Sequence, residues 1–329
     1  MKKTLTFLLF SITGCLILNS QPISSQGKPF AEIFTDFHYH IDDTSKTTGF
    51  GLNRAFLGYN YTPEENFSAL IIVNVGSPED LAPGAEPKRY AYFREASVTY
   101  NKNKLTLSFG MVSTRYEDFQ QTFWGKRYLA PEYQSLYGYG WVADLGVVAD
   151  FKFNDVIKVD FSVLNGKGYT NIQFDNSLKT AVGLTVTTPD KLAFRLYCDI
   201  MRPSGIWQST MIAFAGLKND LFSFGAEASY KTNLDLEQGH DVWGLSATGS
   251  IFLNPKSEIF GRCDYSTSRK VLGDALLWDC QKDATYIIGG IQRIFNDNVK
   301  MALNYRLTDP HSPGEKNTNS IYLNARFRF

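Results

Sequence analysis

The chain has 329 residues, with 33 basic and 33 acidic side chains and 15% aromatic residues. That balance excludes a strongly basic nucleic-acid binder and an acidic tail. After residue 20 no uncharged apolar stretch reaches the length of a membrane-spanning helix, so a helical membrane bundle is excluded as well.

Residues 1–25 read as a secretory signal. Lys2 and Lys3 precede an apolar stretch over 5–18, and a small polar segment follows, with cleavage expected near Ser25. Cys15 stands in an Ile-Thr-Gly-Cys box of lipoprotein type, but the apolar stretch runs on through Leu18, which speaks against lipidation. Of the four cysteines, Cys198, Cys263 and Cys280 then remain. They are odd in number and have no metal-like spacing, so neither a disulfide framework nor a zinc site is indicated. A lipid-facing wall is one place for free thiols in an exported protein.

From residue 26 onward the sequence alternates apolar and polar residues with period two. Ile33, Thr35, Phe37 and Tyr39 interleave with Glu32, Phe34, Asp36, His38 and His40, and Ile157, Val159, Phe161 and Val163 with Lys158, Asp160 and Ser162. At the end Ile321, Leu323, Ala325, Phe327 and Phe329 interleave with Tyr322, Asn324, Arg326 and Arg328. Sixteen segments of this kind are predicted, at 30–41, 50–61, 67–76, 90–101, 104–113, 142–153, 157–165, 178–188, 191–201, 208–217, 221–232, 241–253, 257–268, 284–294, 299–308 and 319–329. Most match the roughly 9–11 residues that a tilted strand needs to cross a bilayer. No helix of ordinary length is expected.

Every second connection is short and carries Asn, Asp, Pro and Lys, as at Lys102-Asn103 and Pro189-Asp190. The intervening ones are longer and polar, as at 77–89, 115–141, 269–283 and 309–318. Short turns at one end and long loops at the other are expected of an all-β, transmembrane antiparallel barrel of about 16 strands. Closure leaves no unpaired edge, which lipid requires. Aromatics near strand ends (Tyr59, Tyr61, Tyr100, Tyr230, Phe329) suit interfacial girdles.

The residues resemble the phosphate-selective porin-like family of Gram-negative outer membranes, in its Bacteroidetes-type form. The likeness rests on Phe50-Gly-Leu-Asn-Arg54-Ala-Phe-Leu-Gly58, on Leu107-Ser-Phe-Gly110-Met111 before a long loop and on Val163-Leu-Asn165-Gly166-Lys-Gly168. Phe260-Gly-Arg262-Cys-Asp264-Tyr265 and the terminal Arg-Phe-Arg-Phe329 complete it. The resemblance implies a 16-stranded, commonly trimeric barrel that passes small solutes by diffusion. It also implies an inward, pore-narrowing loop at 115–141 and a C-terminal Phe329 read by the barrel-assembly machinery. Phosphate specificity is not carried over, because acidic and basic residues on the inward registers are nearly equal in number and leave no field of one sign.

The expected pore-lining and constriction residues are Arg54, Arg262, Arg306 and Arg326 on strands, with Glu117, Asp118, Lys126, Arg127 and Glu132 on the long loop. The arginines are read either as a basic wall opposite the loop carboxylates, giving a transverse field, or as simple partners of nearby carboxylates such as Asp36 or Asp264. Phe119, Phe123, Trp124, Tyr128, Tyr133 and Tyr137 are expected to anchor the loop, and Gly58, Gly110, Gly146 and Gly183 to leave open space in the lumen. His38 and His40 share a face but lack a third ligand, so they read as lumen residues near the mouth. No nucleophile motif, GxGxxG, Walker loop or CxxC pair appears, so no enzyme, cofactor or metal is expected. The reading is an outer-membrane porin for small hydrophilic solutes, with a barrel anchor as its rival. Lipid and further copies of the chain are the expected partners, and nucleic acid is not.

Overall fold

The computed structural model describes residues 26–41, 48–76, 89–173, 175–269, 282–312 and 314–329. The signal segment 1–25, most of the loops at 77–89 and 269–283, Cys15 and Cys280 lie outside the described residues. The strands run β1 Gln26–His40, β2 Thr48–Glu64, β3 Phe67–Gly76, β4 Tyr90–Lys102, β5 Leu105–Ser113, β6 Ala143–Lys152, β7 Ile157–Leu164 and β8 Lys179–Thr187. They continue as β9 Leu192–Met201, β10 Gln208–Lys218, β11 Phe222–Lys231, β12 Asp241–Asn254, β13 Ser257–Arg269, β14 Ala284–Asn296, β15 Val299–Pro310 and β16 Thr318–Arg328. All sixteen predicted segments are strands, with ends displaced by a few residues.

Each strand pairs antiparallel with its sequence neighbours, and β1 pairs with β16 to close the barrel. The Ala31 amide donates to the Phe329 carbonyl at 2.7 Å and the Phe329 amide to the Ala31 carbonyl at 3.0 Å, so the C-terminal residue is itself part of the seam. Closure leaves the barrel no free edge, and neighbouring strands pair their backbone groups without water, which is what makes a strand tolerable in hydrocarbon. The outward register is apolar and accessible, with Phe50 85% and Phe109 67% exposed, whereas the inward register is buried and polar. Rings gather at the strand ends: Tyr59 stacks on Tyr61, and Phe67 pairs with Tyr100 at 4.9 Å between centroids. Cys198 and Cys263 lie exposed on the outward, lipid-facing register.

Two interruptions of the alternation matter for the interior. The β1–β2 register shifts at Phe34/Thr35 and leaves Asn53 as an extra residue, and the β3–β4 register shifts at Ile72/Val73 and leaves Arg94 as another. A bulge of this kind re-aims the side chains beside it.

The glycines expected to leave open lumen do not. A Cβ at Gly58 would run into the ring of Phe30, and one at Gly183 into the carboxylate of Asp160 and the guanidinium of Arg195. Gly110, at φ +115°, lies against the backbone of Ala96. A glycine beside a bulky neighbour acts as a socket for that neighbour, so the space is filled rather than free.

Candidate functional site

The connection between β5 and β6 is the longest one described, and its contacts are with inward residues of the wall. Its base is clasped by the Thr114 hydroxyl, which donates to the Trp141 carbonyl at 2.7 Å. Arg115 then donates to both Asp150 oxygens, at 3.2 and 2.9 Å, and to Asp118 at 2.9 Å. Lys158 reaches the same Asp150 at 2.9 Å. Arg195 on β9 pairs with Asp160 at 2.7 Å and donates its other Nη to the Arg115 carbonyl at 2.5 Å. β6, β7 and β9 therefore hold the entry of the segment through an ion-pair ladder.

A short helix follows, α1, Asp118–Trp124, with an acid in its first turn, where the helix dipole favours one. Gly125 stops it in the left-handed conformation, φ 67°, its amide donating to the Gln121 carbonyl at 2.8 Å. Phe119 and Phe123 stand four apart on one face and meet Phe214 of β10 edge-on at 5.5 and 5.0 Å. Gly216 and Gly225 leave the room this contact needs, since a Cβ at either would meet the Phe123 ring. Trp124 packs edge-on against Phe260 of β13 at 5.9 Å.

The far turn is held by a different set of groups. The Lys126 ammonium lies 3.0 Å from Glu258 and donates to Ser250 Oγ at 2.9 Å. Burial lowers the pKa of Lys126 from the usual lysine value, and Glu258 opposes that shift. Tyr128 donates to Gln292 at 2.7 Å, and Tyr128 and Leu129 share an apolar cluster with Phe34, Phe56, Ile72, Phe260 and Ile288. The chain returns through α2, Tyr133–Leu136. Here the Tyr133 hydroxyl sits against Gly244, and Gln134 donates to Glu227 at 2.7 Å. Lys231 donates to the Tyr139 carbonyl at 3.0 Å.

The sequence-predicted residues divide into three groups. Arg262 and Arg306 belong to the far grip. Arg262 Nη1 donates to the Pro131 carbonyl at 2.5 Å while its fork binds Asp264 at 2.9 and 2.5 Å. Arg306 Nη2 donates to the Leu129 carbonyl at 2.8 Å, and its guanidinium covers the Tyr322 ring at 3.7 Å. Both arginines face the loop's carbonyl oxygens, because turn carbonyls removed from water need donors and a guanidinium supplies five. Two of the arginines do meet a nearby carboxylate, Arg262 at Asp264 and Arg326 at Glu32, each at 2.5 Å. Asp36 accepts from Asn53 at 2.7 Å and lies 2.7 Å from His38 Nδ1. His40 meets Ser320 near the mouth, also at 2.7 Å.

The loop acids form the second group. Glu117 accepts from the Ser135 hydroxyl, Asp118 pairs with Arg115, and Glu132 lies 3.3 Å from Arg127. Burial pushes the Glu132 carboxyl up to about 7; Glu117 adds to that, and Arg127 and Arg262 oppose it.

The third group is basic. Arg54 and Arg94 lie over the inward ring of Phe56, at 5.2 and 5.0 Å, and Arg127 lines one cavity with Arg54. Arg94 is 3.8 Å from Glu95, and Arg54 has no carboxylate partner among the described residues. Strict alternation sets Arg94 outward, and only the bulge brings it inside. The one clue in the sequence is the adjacent Arg94-Glu95 pair, since two neighbouring charges do not fit a lipid-facing register. The anchors Arg115, Glu258 and Lys231 likewise carry no signal of their own.

Comparison with known proteins finds no family profile and no curated sequence that matches the chain. Solved structures do match. OmpF of Salmonella typhi, in a complex with daunomycin, aligns with a TM-score of 0.68 at 11% identity, over 93% of this chain and 98% of that one. The fold is that of the outer-membrane porins. OmpT of Vibrio cholerae, folded in vitro, aligns at 0.65 and 14% identity over 95% of this chain and 100% of its own. An anion-selective porin from Comamonas acidovorans aligns at 0.63 and 10% identity over 93% and 100%. An apolar outer wall around a polar interior, closed by sixteen strands, is the architecture of an integral outer-membrane barrel.

Proposed function

We propose that the chain forms an outer-membrane channel through which small hydrophilic solutes diffuse passively. The observation that supports the reading is the contrast between the strand faces, an apolar outer register against an inner one rich in ionised and polar groups, and we read the segment at 115–141 as the one that narrows the interior. In this mechanism the segment sets the size limit, and the unpaired Arg54 with Arg94 and Arg127 lowers the energy of passing anions. Export by a signal over residues 1–25, recognition of Phe329 by the barrel-assembly machinery and kinship with the phosphate-selective porin-like family rest on the sequence motifs. A solved OmpT is described in a trimer form, and we read this chain likewise as a homotrimer in lipid. The channel reading assigns no catalytic step to any residue.

Single-channel conductance of the purified protein in a planar bilayer tests this. Discrete ion-conducting steps are expected, and they enlarge when residues 119–133 are deleted. A folded barrel that stays silent in the bilayer, with and without the segment, overturns the channel in favour of an anchor.

A further inference from the structure

Between the inward segment and the extracellular mouth lies a cavity of about 600 Å³. Cations reach it from separate parts of the wall: Arg54 on β2, Arg127 on the segment, Lys167 and Lys179 beside the β7–β8 loop, Lys231 at the end of β11 and Lys282 before β14. Lys167 is matched by Asp175 at 2.9 Å, Lys179 by Asp199 at 2.8 Å and Arg127 by Glu132 at 3.3 Å. Among the described residues Arg54, Lys231 and Lys282 have no carboxylate within ion-pair distance. Lys231 is 7% exposed and donates only to neutral carbonyls, those of Gly138 at 3.3 Å and Tyr139 at 3.0 Å. Against these three stands a single further lining carboxylate, Asp235. The cavity therefore holds a surplus of positive charge.

Aromatic faces share that wall. Tyr92 stacks on Tyr169 with centroids 5.8 Å apart, and Trp141 meets Tyr169 edge-on at 6.1 Å. The side chains of Asn53, Asn74 and Gln208 also line the cavity, and the Asn74 amide donates to the Tyr92 hydroxyl at 2.7 Å. A bare oxyanion is held by donors that converge on one point at about 3 Å. Here the cations are spread around a volume within the roughly 300–1,000 Å³ of small-molecule pockets. Spread charge, ring faces and amides together suit a flat or ring-shaped solute with a carboxylate at its edge.

We propose that this vestibule is a binding subsite for a ring-bearing carboxylate, either a uronate sugar or an aromatic acid, captured before it passes the inward segment. The proposal rests on the channel reading and names the solute class that the channel favours. Arg54 supplies a bidentate contact to the carboxylate, Lys282 attracts it from the mouth, and Tyr92 and Tyr169 offer a face to the ring.

Calorimetric titration of the detergent-solubilised full chain tests it, with glucuronate, benzoate, glucose and inorganic phosphate as probes. Glucuronate or benzoate is expected to bind about tenfold more tightly than glucose, the value of one charge-assisted pair. The stronger of the two identifies the source of the carboxylate. Arg54→Gln and Lys282→Gln should each weaken that binding, by up to about tenfold, with strand content by circular dichroism unchanged. Phosphate binding as tightly as either carboxylate overturns the ring requirement, and absence of binding by every anion overturns the subsite. Conductance of the same preparation separates the two readings. Conduction without binding sinks the subsite alone, and silence with binding intact sinks the channel alone.

Discussion

The inward segment is gripped at its entry by a ladder of ion pairs on β6, β7 and β9, and at its far turn by an apolar cluster around two buried pairs, Lys126–Glu258 and Arg262–Asp264. The outer rungs of the entry ladder, at Asp118 and Lys158, are partly wet, whereas Arg195 and Asp160 within it are 3% and 4% exposed. Asp118 is 36% exposed and Lys158 47%, so water can replace a lost partner there. At the far turn Lys126 is 5% exposed and Glu258 10%, and rings surround them. The difference teaches that one lumen wall holds its loop in two ways, and that equal numbers of charges need not carry equal weight.

The largest effect is expected from breaking the far grip. Lys126→Ala strands Glu258 in a dry site, at a cost of about 3–5 kcal/mol to docking. The segment should release and single-channel conductance should rise, while the sixteen-strand ladder stays folded. Lys126→Met with Glu258→Leu removes both charges and should restore most of the docking; conductance as high as in the single variant would show that the pair is not the fastener. The outer wall supplies the next contrast. Leu303→Arg puts a cation in hydrocarbon, at about 2–4 kcal/mol near the midplane. That should lower the yield of folded barrel in refolding assays and leave the conductance of the folded fraction unchanged. Smaller again is Arg115→Gln at the wet entry. It loses charged hydrogen bonds to Asp150 and Asp118 worth about 1.5–3 kcal/mol, partly restored by water. Its conductance should lie between those of the parent and of Lys126→Ala, and a larger rise than Lys126→Ala gives would reverse the comparison.

Much of this architecture was legible in the sequence because a membrane strand writes its two faces into alternate residues. Ile157 to Val163 and Ile321 to Phe329 gave both strand and facing, and the short turns gave orientation. The loop's aromatic anchors were legible too, since a long polar connection has little other reason to hold Phe119, Phe123 and Trp124. What period two does not encode is an interruption of itself, so the bulge that brings Arg94 inside was missed. Nor does it encode which inward groups meet. Arg262 and Arg306 face loop carbonyls, which belong to every residue type and leave no mark in the sequence. The lumen glycines misled for a related reason: a missing side chain signals space only when no neighbour fills it, and Phe30 and Arg195 do.

The comparison is sharpened last by pH, through Glu132 in the return of the segment. Its carboxyl is pushed up to about 7 from an ordinary 4.5, by burial first and by Glu117, against Arg127 and Arg262. A raised carboxyl holds its proton more firmly when docked than when released, so the docked form binds more protons between those two values. Docking is therefore favoured in full below about 4.5, weakens as pH rises through the window and has lost this contribution above about 7. Burial likewise pushes the Asp118 carboxyl at the entry up to about 6, against Arg115, so over pH 5 to 8 both Asp118 and Glu132 lose protons and conductance should climb gently with pH. Glu132→Gln keeps a neutral group of the same shape and should remove the upper part of the slope, leaving the part that belongs to Asp118. A parent protein whose conductance falls from pH 5 to 8, or a Glu132→Gln variant that keeps the full slope, would place the titrating group elsewhere in the lumen.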